Sequence, residues 1–119
     1  MQLYLVDCQF TDIENQVAAY KQFVDLWESG DMAKQDQFEG YETLFRVHAP
    51  GEGRVVILCK AAGDKQLFLH FAPWRAQFGI EMEMTPVISC QNVVDYHKAL
   101  FSKMGWIFLR PKYDFDLKK

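Results

Sequence analysis

Arg54-Val55-Val56-Ile57-Leu58-Cys59-Lys60 is the stretch whose reading decides the fold. Between its two charged ends lie five strongly apolar residues. A strand with one wet face alternates apolar and polar residues. This one does not: Val56 and Leu58 fall in one phase, and Val55, Ile57 and Cys59 in the other. Val and Ile are stiff at χ1 and favour a pleated strand over a helix. The stretch reads as a central strand with both faces covered, and the rest of the chain must supply that cover.

Residues 3–10 form a first strand that is also apolar in both phases for most of its length, with Asp7 interrupting one of them. Thr11 and Glu14 then have the spacing of a capping box and start a helix. Ile13, Val17, Tyr20, Val24 and Trp27 make its apolar stripe, and Gly30 ends it. Residues 31–40 have no clean period and read as a polar connection with a turn of helix. Residues 41–48 form a second strand, with Tyr41, Thr43, Phe45 and Val47 on one face and Glu42, Leu44, Arg46 and His48 on the other. The Pro- and Gly-rich loop 49–53 turns the chain back, so the deciding strand pairs antiparallel with the second.

Asp64 is the expected N-cap of a second helix with the stripe Leu67, Phe71, Trp74 and Phe78. Pro73 lies inside that pattern and must kink the helix or start a fresh turn. Ile80-Glu81-Met82-Glu83-Met84-Thr85 alternates, so it is a half-exposed strand. Pro86 after it suits a sheet edge. A third helix is expected to run from Ser89 or Asn92 to Met104 and to end at Gly105. Residues 106–119 are an aromatic tail expected to pack on the domain or on a neighbouring chain.

The element order β-α-β-β-α-β defines an α+β fold, the ferredoxin-like split βαβ arrangement. Its four-stranded antiparallel sheet runs fourth, first, third, second. The two strands apolar on both faces then fall in the middle. Domain limits of 1–105, with a tail at 106–119, follow. Two helices cover one face of such a sheet. The other face is expected to leave Val55 and Ile57 in water, a larger apolar patch than monomers usually expose. Covering it, at about 25 cal/mol per Å² of apolar surface, favours association by several kcal/mol before entropy costs. The expectation is a homodimer with sheets packed face to face; the alternative is the third helix and tail folding over that face.

The passage from Leu67 to Val87, with Ala72-Pro73-Trp74 and Thr85-Pro86-Val87 as its marks, resembles a family of small bacterial domains of unknown function. The resemblance covers residues 1–95. It implies membership of the dimeric α/β-barrel superfamily, and it implies no catalytic residues. The stretch after Gly30 and the aromatic tail depart from the family pattern.

Composition excludes several classes. The chain has 119 residues, a net charge of −3 and half its residues apolar, which makes one folded domain without the basic footprint of a nucleic-acid binder. No apolar run reaches the roughly 20 residues of a membrane helix. The N-terminus shows no signal-peptide pattern, so a cytoplasmic protein is expected. Cys8, Cys59 and Cys90 lack C-x-x-C spacing; Cys8 and Cys59 read as buried thiols. His48, His70 and His97 stand on separate elements without metal-ligand spacing, and no glycine-rich phosphate loop is present. No cofactor or metal is expected.

His70 and Trp74 are one helical turn apart. In the superfamily that the resemblance implies, cofactor-independent monooxygenases and haem-degrading enzymes use a pocket between helices and sheet. Phe71, Trp74, Met82 and Met84 are the candidate walls of such a pocket here, binding a small apolar ligand. His70 or Asp7 is its candidate polar group and the candidate catalytic one. The opposing view makes these residues plain core and His70 a solvated helix residue. Asp7, if buried, needs a partner such as Arg46 or Arg54. The functional expectation is a binding or accessory domain. The rivals are an oxygenase-like or isomerase-like enzyme on an aromatic or apolar molecule, and an interaction module built on the tail.

Overall fold

The structure, a computed structural model, describes residues 1–108, with side chains through Met104. The chain divides into two compact units, Met1–Val87 and a second beginning at Ile88.

The first unit is a mixed α+β domain on one antiparallel sheet. In chain order its strands are β1 (Gln2–Gln9), β2 (Gln37–Phe38), β3 (Tyr41–Ala49), β4 (Arg54–Ala61) and β5 (Glu81–Val87). They lie side by side as β2-β3-β4-β1-β5. The deciding stretch is therefore β4, the middle strand. The sheet has five strands rather than four, because the polar connection closes with Gln37 and Phe38 pairing back on Glu42 and Tyr41. Pro86 sits within the edge strand β5, opposite Tyr4, and pairing continues to Val87 without a bulge. An edge tolerates proline because its missing N–H would have faced no neighbouring strand.

Helix α1 (Ile13–Ser29) is capped by Asp12, not Thr11: the Asp12 carboxylate accepts from the Asn15 backbone N–H at 2.7 Å. Thr11 instead donates to the Gly79 carbonyl. Gly30, at φ 84°, ends the helix. The left-handed conformation is easy only without a Cβ. Helix α2 (Met32–Asp36) occupies the supposed connection, anchored by Met32, which is buried. Helix α3 (Asp64–Phe78) starts from Gly63, with Asp64 as its first-turn acid, and runs on through Pro73 to Gly79.

Both long helices cover one face of the sheet. Val6 and Cys8 of β1 and Val55, Ile57, Cys59 and Ala61 of β4 form the core with Ala19, Leu67, Phe71 and Phe78. This corrects the expectation for Val55 and Ile57, which lie under the helices and not on the open side. The open face carries the other phase: Leu3, Leu5 and Asp7 of β1 against Lys60, Leu58 and Val56 of β4.

Two faces differ from the sequence reading. In β3 the register shifts between Thr43 and Phe45, with Leu44 in the bulge. Beyond it the alternation inverts, so Arg46 pairs with Ile57 and His48 with Val55, on the helix side. Phe45 and Val47 then turn to the open face and are exposed. In α1 the helix is turned by roughly a quarter-turn or more from the expected stripe, given 3.6 residues per turn. Ala19 is its buried residue, and Ile13, Val17, Val24 and Trp27 are exposed.

The second unit contains α4 (Cys90–Phe108), capped by the Ser89 hydroxyl, which accepts from the Asn92 N–H at 3.0 Å. It continues through Gly105, where it was expected to end. A helical glycine costs about 1 kcal/mol relative to alanine, which weakens a helix without stopping it. The expected packing of the aromatic tail lies outside the described residues. Among the described residues no helix is long and apolar enough to cross a membrane.

Candidate functional site

A cavity lies between the helices and the sheet of the first unit. It measures about 60 Å³ to the centre of a water-sized sphere. On that measure one water needs about 10–15 Å³, so the space suits a few waters or one very small organic molecule. Val55, Ile57 and Cys8 on the central strands and Met82 on β5 form its floor. Tyr20 and Phe23 enter from α1, Met32 from α2, and His70, Phe71 and Trp74 from α3.

Four of the candidate residues therefore come together: His70, Phe71, Trp74 and Met82. Met84 and Asp7 do not line the cavity. Met84 lies farther along β5 and is exposed. Asp7 is on the opposite face of the sheet, where Arg54 grips it through two hydrogen bonds of 3.0 and 2.6 Å. The hydrogen bond from Arg54 holds its carboxyl below the usual carboxylate range. Asp7 is an ion-paired surface group, and its partner is Arg54 rather than Arg46.

His70 is 5% exposed, so it is not a solvated helix residue. Its ring stacks on Tyr41, with centroids 4.3 Å apart. Its Nε2 lies 3.4 Å from Asp36 Oδ1. A carboxylate can only accept, so Nε2 carries the proton. Its Nδ1 is buried and has no hydrogen-bond partner. Burial pushes the His70 pKa down, against the opposing pull of Asp36, so the ring favours its neutral form.

Asp36 does not line the cavity but is the hub of the polar network behind two residues that do, His70 and Arg46. It accepts from Arg46 at 3.1 and 2.5 Å and from the Thr43 hydroxyl at 2.9 Å, besides His70. Thr43 in turn meets the Tyr41 hydroxyl at 2.9 Å. Burial alone would raise the Asp36 pKa. Hydrogen bonds from His70, Arg46 and Thr43 and the Arg46 charge outweigh it and hold the carboxyl far below its ordinary value. One residue earlier, Gln35 accepts from Trp74 Nε1 at 3.0 Å and fixes that indole.

A second polar pair, Tyr20 and His48, also borders the cavity. The Tyr20 hydroxyl lies 3.0 Å from His48 Nδ1. Burial raises the Tyr20 pKa and lowers that of His48, so the bond joins a neutral phenol to an imidazole that favours its neutral form. Phe23, Arg46 and His48 border both the cavity and an open groove beside α1 and β3. Burial pushes the Cys8 thiol up to about 12, so it is a protonated wall and not a nucleophile. Among the described residues no three His, Cys, Asp or Glu side chains gather as metal ligands.

Sequence reasoning missed Arg46, His48 and Tyr20 in the cavity lining, and Gln35 and Asp36, which hold Trp74 and His70 from behind it. Asp36 and Gln35 had one signal, the apolar Met32 and Phe38 that bracket them in a polar stretch. Arg46 and His48 had none, because the bulge that turns them inward leaves no mark in the alternation.

Fold and site together define a small α+β domain with a helix-covered antiparallel sheet and an aromatic-walled cavity. The family model described as "Domain of unknown function (DUF3303)" matches residues 2–101, and the chain belongs to that family. No curated protein and no solved structure gives a significant match.

Proposed function

We propose that this domain binds a small apolar molecule in the cavity between α1, α3 and the sheet. It acts as a homodimer joined through the open sheet faces, in the manner of ferredoxin-like dimeric α/β barrels. The observation that carries the binding role is the convergence of Tyr20, Phe23, Phe71 and Trp74 on one partly enclosed space with few polar groups in its lining. The observation that supports the dimer is the apolar open face, where Phe45 is 45% and Val47 56% exposed.

Native mass spectrometry of the purified protein tests both parts. A dimer with a retained small molecule is expected. A monomer with no adduct, and no binding of small aromatic probes, defeats the proposal.

The enzymatic reading has one observation in its favour. Tyr20 and His48 share a hydrogen bond and both border the cavity. Such a pair can relay a proton to or from a bound molecule, as an isomerase-like reaction requires. Tyr20→Phe then leaves ligand affinity within about twofold and slows turnover at least about 100-fold. An equal loss of binding and rate makes the pair a wall only.

A further inference from the structure

Phe23, Arg46 and His48 lead from the cavity into the open groove between α1 and β3, which is the larger space. The groove measures about 550 Å³ to the centre of a water-sized sphere, against about 60 Å³ for the cavity. About 150 Å³ is enough to hold a benzene ring, so the groove admits organic molecules that the cavity is too small to take. Its apolar walls are Phe23, Val24 and Trp27 on α1 and Leu44 and Phe45 on β3. Trp27 stacks on Phe23, with centroids 5.8 Å and planes 21° apart, and is nevertheless 64% exposed. Its ring is braced on one side and open to solvent elsewhere.

Charge in the groove is unbalanced. Its lining has two carboxylates, Glu28 and Asp36, and one guanidinium, Arg46. Arg46 and Asp36 neutralise each other through two hydrogen bonds. Glu28 adjoins Trp27 and has no ion-pair partner among the described residues. His48, on the same lining, favours its neutral form because burial lowers its pKa. We propose that this groove binds a small organic ammonium ion, with its N-alkyl groups on the exposed face of Trp27 and its charge opposite Glu28. An aromatic face attracts a cation through the ring quadrupole, most strongly for tryptophan. The aromatic shelf already holds one such contact, since the Arg46 guanidinium lies 5.5 Å from the Phe23 ring centroid. An anion would meet the unpaired Glu28 carboxylate, and an uncharged molecule would gain the apolar contact alone. The site is separate from the apolar ligand proposed for the cavity and does not depend on it.

The test titrates two probes into the whole chain and follows the Trp27 indole N–H by NMR at constant ionic strength. The probes are choline and its uncharged isostere, in which a tert-butyl group replaces trimethylammonium. Choline is expected to move the Trp27 resonance to saturation and to bind at least about fivefold more tightly than the isostere. The Trp74 indole, held by Gln35 at the cavity wall, is expected to stay in place. Trp27 and Glu28 are both exposed, so changing them spares the core. Glu28→Gln is expected to weaken choline about threefold. Trp27→Ala is expected to abolish its binding, read at the Phe45 backbone N–H. An isostere that binds as tightly as choline overturns the proposal, because charge then plays no part. A shift at Trp74 in place of Trp27 overturns it by putting the probe in the cavity. Choline that fails to saturate within the millimolar range overturns it outright.

Discussion

Arg46 on β3 grips Asp36 on α2 through both terminal guanidinium nitrogens, at 3.1 and 2.5 Å. Ten residues separate the two in the chain. Their side chains are only 11% and 21% exposed. The pair ties the edge of the sheet to the short helix that carries Gln35 and Asp36, and through Asp36 it orients His70.

Asp36→Asn leaves the Arg46 charge mostly buried and without its counter-ion. Removing one partner of such a pair costs about 3 kcal/mol. The surface pair Lys34–Asp31 supplies the contrast, and Asp31→Asn changes stability by less than about 0.5 kcal/mol. Urea unfolding at pH 7.5 reads both. Equal midpoints for the two variants mean that Asp36 is not structural.

Stability should fall in two stages on acidification. The His70 pKa is lowered in the folded state, so below about 6.5 the unfolded chain takes up the proton first. Stability is therefore full above that pH and declines as the pH drops beneath it, with His48 adding to the effect. The Asp36 pKa is depressed, so its contribution is present above about 4 and is lost as the pH falls further. Urea midpoints at pH 7.5, 5.5 and 3.5 trace both stages. A protein more stable at pH 5.5 than at 7.5 contradicts the burial of a neutral His70.

Phe71 and Phe68 stand one turn apart on α3 and have opposite surroundings. Phe71 is 2% exposed and Phe68 is 68% exposed. Phe71→Ala should cost about 3–5 kcal/mol through lost burial and the void left behind. Phe68→Ala should cost less than about 0.5 kcal/mol. Comparable losses in thermal unfolding show that α3 is turned differently on the sheet.

The open sheet face gives a test of assembly. Leu58 and Val56 of β4 lie there, in the phase opposite to the buried Val55 and Ile57. Leu58→Glu places a charge in the proposed interface without touching the core. Sedimentation should show a dimer converted to a monomer with an unchanged circular dichroism spectrum. A variant that stays dimeric puts the interface elsewhere. A native protein that is already monomeric, and a variant that unfolds, favour cover from within the same chain.

The strand framework was legible because it rests on local chemistry. The unalternating run at residues 55–59 declared a middle strand, and β4 occupies that place. Gly30 and Gly79 marked helix ends because each takes a positive φ there, 84° and 62°. His70, Phe71, Trp74 and Met82 could be grouped because helix spacing and strand phase survive in the sequence. The pairing of Asp36 with Arg46 could not be read, since neither residue has a local pattern that points to the other.

What the sequence by itself determined was which of the longer segments are strands and helices and which strand is most deeply covered; the short α2 and β2 within residues 32–38 escaped it. Burial of a whole segment shows in its composition. The tertiary structure alone decided which face each residue presents. A single extra residue at Leu44 reverses every side chain after it on β3. The rotation of α1 likewise follows from what Ala19 and its neighbours meet across the sheet, not from the helix's own stripe. Orientation depends on packing against distant segments, and that reversal set Arg46 and His48 at the cavity.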